Sequence, residues 1–161
     1  MLQKVYPVIL LVLKKFFKFM PMLLVAVLGF ATWSCDDDDD KDEAIAITML
    51  PDSAKEFVTT YFSNAVIVSA RVDSNEYEAM LSDGTKIEFD RTGVWTDVDA
   101  PRGKTIPTGF YPSAIDTYVA ANYSGNGINE ISKESRGYDV ELVSGVDLVF
   151  DYNGEFVAVD K

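Results

Sequence analysis

Tyr77–Asp99 reads YEAMLSDGTKIEFDRTGVWTDVD, and Tyr138–Asp160 reads YDVELVSGVDLVFDYNGEFVAVD. The second stretch starts 61 residues after the first. Tyr77 and Tyr138, Leu81 and Leu142, Gly84 and Gly145, Phe89 and Phe150, Asp90 and Asp151, Gly93 and Gly154, Val98 and Val159, and Asp99 and Asp160 all match at that offset. A constant offset marks an internal repeat, which constrains the architecture before any single element is assigned. Tyr77, Ala79 and Leu81 alternate with Glu76, Glu78 and Met80, the period of a strand with one buried face. Ser82-Asp83-Gly84 reads as a turn, Lys86–Asp90 returns with Ile87 and Phe89 inward, Arg91-Thr92-Gly93 turns again, and Val94–Val98 returns with Trp95 inward. The second copy runs through Tyr138–Val143, Val146–Asp151 and Phe156–Val159, with turns at Ser144-Gly145 and Tyr152-Asn153-Gly154. Single glycines between alternating runs are hairpin turns and not a phosphate-cradling loop.

Upstream of each copy lies a helix. Leu50-Pro51-Asp52-Ser53 opens the first, and Ala54, Phe57, Val58, Tyr61 and Phe62 recur on one helical stripe. Pro112 opens the second, with Ile115, Tyr118, Val119 and Tyr123 on its stripe. Val66–Val72 and Ile128–Glu134 supply a further strand to each copy. A helix covers only one face of a sheet. The expected fold is therefore α+β: a tandem repeat of a helix plus an antiparallel meander of three or four strands. The copies form one curved sheet of about eight strands, with both helices on one face. Residues 48–100 hold the first repeat; 101–161 hold the linker, with Pro101, Gly103, Pro107 and Gly109, and the second repeat.

The charge is unevenly spread. No acid precedes Cys35, whereas Lys4, Lys14, Lys15 and Lys18 do; from Asp36 onward 26 acids face 10 bases, a net charge of −16. Such a body repels nucleic acid and anionic headgroups, so no nucleic-acid partner is expected. The chain has no histidine, which removes the usual general base and the commonest metal ligand. Its one cysteine, Cys35, rules out an internal disulfide and a Cys/His zinc site.

Lys14, Lys15 and Lys18 precede an apolar run, Phe19–Ala31, of signal-peptide length. Thr32-Trp33-Ser34-Cys35 follows and resembles a bacterial lipoprotein signal, in which the cysteine becomes the lipidated first residue. That resemblance implies that residues 1–35 are a lipoprotein signal peptide. A cleaved secretory peptide, or an uncleaved anchor with a free thiol, is the alternative. Residues 36–47 form an acidic linker opening with Asp36–Asp40. A solvated linker explains such a run. It also resembles the surface-export signal of Bacteroidetes lipoproteins, implying an outer-membrane lipoprotein exposed on the cell surface.

Leu50-Pro51, Tyr61-Phe62, Tyr77, Leu81, Asp83-Gly84, Ile87, Phe89-Asp90, Gly93 and Trp95 together resemble the PepSY-like, beta-lactamase-inhibitor-like lipoproteins of Bacteroidetes. Pro112, Tyr123, Tyr138, Leu142, Gly145, Leu148, Phe150-Asp151, Gly154 and Phe156 form a partial second copy of the pattern. The resemblance spans nearly all of residues 48–160. It implies tandem helix-plus-antiparallel-sheet units and, by analogy of fold alone, a secreted inhibitor that binds enzymes on a sheet face. It carries over no functional residue.

No catalytic site is expected. Asp90, Asp99, Asp151 and Asp160 recur and could form an acid–base pair, but Asp90 and Asp151 each stand three residues before a turn glycine, where a carboxylate caps backbone N–H groups. A Ser/Lys arrangement stays open at this stage. Alternation places Glu78, Met80, Lys86, Glu88, Val94, Thr96 and Val98 on the face away from the helices, with Asp139, Glu141, Val143, Asp147, Val149, Val157 and Val159 in the second copy. A solvated face is normally polar, so acids mixed with valines suit a partner surface, although β-branched residues are also good strand formers. Met80, Val94, Val98, Glu141, Val143, Val149, Val157 and Val159 are the candidate partner-binding residues. No cofactor or metal is expected. The expected function is a non-enzymatic, membrane-tethered extracytoplasmic binding module for another envelope or extracellular protein, inhibiting a secreted or surface enzyme such as a peptidase. An envelope structural or accessory lipoprotein, or a small-molecule or calcium-binding one, is the alternative. Replacing Cys35 with Ser is expected to release the protein from membranes and to remove a lipid-sized mass from the mature chain, read by fractionation and mass spectrometry. Unchanged retention and mass would exclude lipidation.

Overall fold

A computed structural model describes residues 43–73 and 76–160. The signal-peptide and lipidation expectations at residues 1–35 and Cys35 lie outside the described residues. The strands are β1 (Glu43–Ile45), β2 (Ile67–Val72), β3 (Glu76–Leu81), β4 (Lys86–Asp90), β5 (Trp95–Asp99), β6 (Ile128–Glu134), β7 (Gly137–Leu142), β8 (Asp147–Phe150) and β9 (Phe156–Val159). A 3₁₀ turn (Ile47–Met49) and helix α1 (Asp52–Tyr61) precede β2, and helix α2 (Ser113–Asn122) precedes β6. The strands form one open antiparallel sheet in sequence order, β1 to β9. It has one strand more than expected: Glu43–Ile45, read from sequence as acidic linker, pairs with β2 through Ile45–Ala70. Helix α2 and strands β6, β7, β8 and β9 each start 61 residues after α1, β2, β3, β4 and β5.

Register explains why the sheet has one dry face. Ala70 pairs with Ala79, Ala79 with Ile87, Ile87 with Val98, Val98 with Ile131, Ile131 with Val140, and Val140 with Leu148. This row crosses seven strands, and every member is buried. Both helices lie on it. Phe57 of α1 meets Phe89 edge-on, ring centroids 5.8 Å apart, and Tyr118 of α2 meets Phe150 likewise at 5.5 Å. Edge-to-face geometry suits the aromatic quadrupole. Ala54 and Val58 of α1, and Ile115 and Val119 of α2, are the helices' buried positions, as their stripes require.

Each helix starts against a hairpin turn. The prolines stand at the N-cap, one place before the first helical residue. Gly93, at φ +80°, has Pro51 and Ser53 where a side chain would go; Gly154, at φ +81°, has Pro112, Ala114 and Ile115 there. Any larger residue would be strained by its backbone and would push the helix away. Ser53 Oγ donates to the Thr92 carbonyl at 2.7 Å and ties α1 to the turn.

The linker between the halves is built into the core. Ala100 and Ile106 are buried, and Phe110 lies 5.2 Å from Phe57 and 5.0 Å from Trp95. Buried Asn129 of β6 donates to the carbonyls of Ala100 and Lys104, both at 2.9 Å, satisfying backbone groups that would otherwise be dry. Phe89→Ala and Phe150→Ala should each cost about 3–5 kcal/mol, the range for emptying a buried aromatic site. Because β5 and β6 join the halves, urea unfolding should remain one transition that both variants shift. Two transitions, each moved by only one variant, would show that the halves fold separately.

Candidate functional site

The face away from the helices is built from the other set of alternating residues. One register ladder crosses it through Arg71, Glu78, Glu88, Asp97, Ser132, Asp139, Val149 and Ala158. The next passes through Ser69, Met80, Lys86, Asp99, Glu130, Glu141 and Asp147. Carboxylates therefore stand directly opposite carboxylates: Glu78 and Glu88, Glu88 and Asp97, Asp99 and Glu130, Glu130 and Glu141, Glu141 and Asp147. Like charges at such positions repel and destabilise a sheet. Lys86, inside this field, reaches Glu88 at 3.0 Å, and that hydrogen bond holds its ammonium above its ordinary pKa.

Asp97 is the centre of the field. Burial, then the charges of Glu130 and Glu88, raise its carboxyl to about 7, against the opposing pull of Lys86. Its Oδ1 is sealed from solvent with no hydrogen-bond partner among the described residues. Burial, then Asp99 and Glu141, push Glu130 up; burial, then Glu134 and Asp160, push Asp139 up. Groups so placed favour a proton or a cation brought to them. Among the described residues no three metal-ligating side chains converge in a ready coordination geometry.

The duplicated turn carboxylates have a different role. Asp90 Oδ1 accepts the N–H groups of Thr92 at 2.8 Å and Val94 at 3.0 Å; Asp151 Oδ1 accepts those of Asn153 at 2.8 Å and Glu155 at 2.9 Å. The Thr92 hydroxyl, which also donates to Asp90 Oδ1 at 2.7 Å, leads in holding Asp90 below its ordinary pKa, with the backbone bonds behind it, and for Asp151 the Glu155 N–H leads. They are turn caps, as their place before the glycines implies.

Of the candidate partner-binding residues, Met80, Glu141 and Val149 stand on the outer face. Val94 lies in the turn before β5 and Val143 just past β7, both exposed; Val143 borders a depression with Asp99, Glu130 and Glu141. Val98 and Val159 are corrections. Val98 is fully buried against Ile87 and Ile131, and Val159 pairs with Leu148 on the helix side. The cause is a bulge in each strand. The register jumps between Trp95 and Asp97 and between Phe156 and Ala158, so Thr96 and Val157 are extra residues that invert the alternation beyond them. The inversion turns Asp97 outward, and for that reason sequence reading missed it. Val157, 60% exposed, borders an outer depression with Val149, Asp139 and Tyr138.

The family described as "putative beta-lactamase-inhibitor-like, PepSY-like" matches residues 75–158, just over half of the chain. The chain belongs to this family. Three solved structures share the fold. One, from Bacteroides thetaiotaomicron and described as a "putative calcium-regulated periplasmic protein", is 30% identical with a TM-score of 0.69, covering 74% of this chain and 97% of that one. A second, from Bacteroides vulgatus and described as a "putative periplasmic protein of unknown function", is 28% identical with a TM-score of 0.70, covering 75% and 100%. A third, a "putative periplasmic protein" from the same species, is 29% identical with a TM-score of 0.69, covering 76% and 99%. None of the curated proteins matches the chain. All three relatives are described as periplasmic, and the PepSY-like chain shares that extracytoplasmic setting.

A carboxyl whose folded pKa lies above its ordinary value of 3.8 binds a proton more tightly when folded. Its contribution is therefore most favourable below that value and is lost as pH rises through about 7. Asp97→Asn should leave stability nearly unchanged at about pH 4 and raise it at about pH 8 by about 1 kcal/mol, discounted because Asp97 keeps contact with solvent. Urea unfolding at both pH values checks this; an equal effect at both would remove the repulsion account.

Proposed function

We propose that this protein is a non-enzymatic, extracytoplasmic binding module that grips a protein partner with the acidic outer face of its sheet. The carrying observation is that face itself: a sheet surface that no described element covers, with five directly opposed carboxylate pairs, flanked by Met80 and Val149. Carboxylates held this close gain from a partner's lysines and arginines, which relieve the repulsion and steer association. In this reading the module is tethered to the outer membrane through a lipid on Cys35, displayed on the cell surface, and inhibits a secreted or surface enzyme such as a peptidase. The inhibitory part is supported by the family's description as beta-lactamase-inhibitor-like. The same reading takes the chain as a tandem duplication of one helix-plus-meander unit, supported by the 61-residue offset of every helix and strand start from α1 through β9.

A second reading, calcium binding, is favoured by the B. thetaiotaomicron relative described as "putative calcium-regulated" and by the carboxylate ladders. Calcium would be held by oxygens drawn together from several strands, since it prefers six to eight of them.

The test is a pull-down from the native cell envelope with residues 41–161 as bait, beside a bait carrying Met80→Glu, Glu141→Lys and Val149→Lys. The expected result is a basic partner held by the first bait and lost by the second, released as salt rises from about 50 to about 300 mM. Its enzymatic activity should fall when bait is added. Equal capture by both baits sinks the face. A thermal shift with calcium, and none with protein, supports the second reading.

A further inference from the structure

β9 is the last strand of the sheet, and among the described residues nothing pairs with its outer edge. β5 starts 61 residues earlier, and its outer edge is occupied by β6 through Val98–Ile131 and its neighbours. That pairing buries Val98 completely, whereas Val159, at the matching place, is 47% exposed. The two backbones are poised alike. Asp160 N–H donates to the Asp147 carbonyl at 2.9 Å, and antiparallel bonding alternates, so Val159 turns its own N–H and C=O away from β8 toward the open edge. Ala100 N–H bonds the Asn129 carbonyl at 3.0 Å, and the same alternation turns Val98 toward Ile131.

β6 thus shows what chemistry closes such an edge. Ile131 enters the core beside Val98, and two residues on, Lys133 Nζ lies 3.9 Å from the Trp95 ring centroid and donates to the Trp95 carbonyl at 2.9 Å. Phe156 stands in the place of Trp95 at the open edge, its ring stacked on Tyr118 at 4.4 Å. Glu155 and Asp160 flank β9, in a chain of net charge −12, so a cation is favoured there too.

We propose that the β9 edge accepts an extended segment of a partner protein by antiparallel strand addition. A β-branched aliphatic residue of that segment packs on Val159, and a lysine or arginine two residues on lies over Phe156. This goes beyond the acidic-face reading, since it concerns the sheet edge and separate residues. Pairing of β9 with β9 of a second copy is disfavoured, because an antiparallel match brings Glu155 of one chain toward Asp160 of the other.

The probe is a synthetic peptide with the β6 sequence GINEISKES, residues 127–135, titrated into residues 41–161. Solved relatives match this part of the chain over 97–100% of their own length, so it folds alone. Amide NMR should show shifts confined to β8 and β9 and slower hydrogen exchange at Val159 by about tenfold at saturation. A peptide with Glu in place of its lysine should bind about tenfold more weakly. Val159→Pro removes the outward N–H without touching the β8 ladder and should abolish the effect. Val159→Lys keeps the amide, sets like charge against the peptide's lysine, and covers the case where the proline variant does not fold. An unperturbed β9 at about millimolar peptide, or undiminished binding by both variants, overturns the proposal. So does a concentration-dependent dimer of the unliganded protein that Val159→Lys dissolves, which would assign the edge to a second copy. Loss of the envelope partner by the outer-face variants with peptide binding intact, or the reverse, separates this failure from that of the face.

Discussion

The antiparallel seam between β5 and β6 is the constraint on which the rest of the molecule depends. Three pairs make it: Asp97–Ser132, Val98–Ile131 and Asp99–Glu130. The middle pair joins the two halves' buried side chains into one row from Ala70 to Leu148, so both helices share one core. Without the seam, β5 and β6 would each present an open edge, and Val98 and Ile131 would lose their cover. Burying side chains of this kind is worth about 1.5–3 kcal/mol each, enough to join otherwise marginal halves. The linker follows from the same contact: once β6 lies beside β5, Asn129 is in place to satisfy the carbonyls of Ala100 and Lys104.

The outer pairs of the seam carry the cost of that arrangement. Val98 and Ile131 must face the core, so Asp99 and Glu130 face each other on the outside, and Asp97 is pressed among Glu88, Glu130 and Asp99. The acidic face is thus a consequence of register as much as of composition. An ordinary solvated sheet face would mix both signs of charge to lower such repulsion. Stability given up at a surface is a recurrent mark of a site kept for binding.

Much of the fold was legible in the sequence, and the parts that were not have identifiable causes. Helical stripes such as Ala54, Phe57, Val58 and Tyr61, the alternation at Tyr77–Leu81 and the turn glycines Gly93 and Gly154 are local signals, and each led to the right element. The capping role of Asp90 and Asp151 could be read from their distance to a turn glycine. The bulges at Thr96 and Val157 had no such signal. A period-two pattern does not mark an inserted residue, and both flanking faces carry plausible side chains, so Val98 and Val159 were read outward and Asp97 was not. β1 was hidden because three residues, one of them Glu43, beside a run of aspartates resemble linker; β2 makes them a strand. The raised pKa of Asp97 depends first on burial and then on Glu130, which sequence separation hides and only the seam brings near.

The two edges of the sheet complete the argument. Strand edges are dangerous for a secreted domain, because unpaired N–H and C=O groups recruit other chains. This molecule treats its edges unequally. One edge is β1, only three residues long and so a short template for another chain; its Ile45 pairs with Ala70 as Val98 pairs with Ile131, so a short segment ahead of α1 stands where β5 stands before α2. At the other edge nothing among the described residues pairs with the outer side of β9, whose four residues, Phe156 to Val159, contain no charge and no proline. Its protection is indirect. Glu155 and Asp160 lie at its ends and Asp139 lies two strands in, so a second copy, equally acidic, is repelled while a cationic segment is not. The charge that strains the sheet's outer face therefore also filters what can reach its open edge, and both effects come from one surplus of carboxylates on a sheet that can bury only one side.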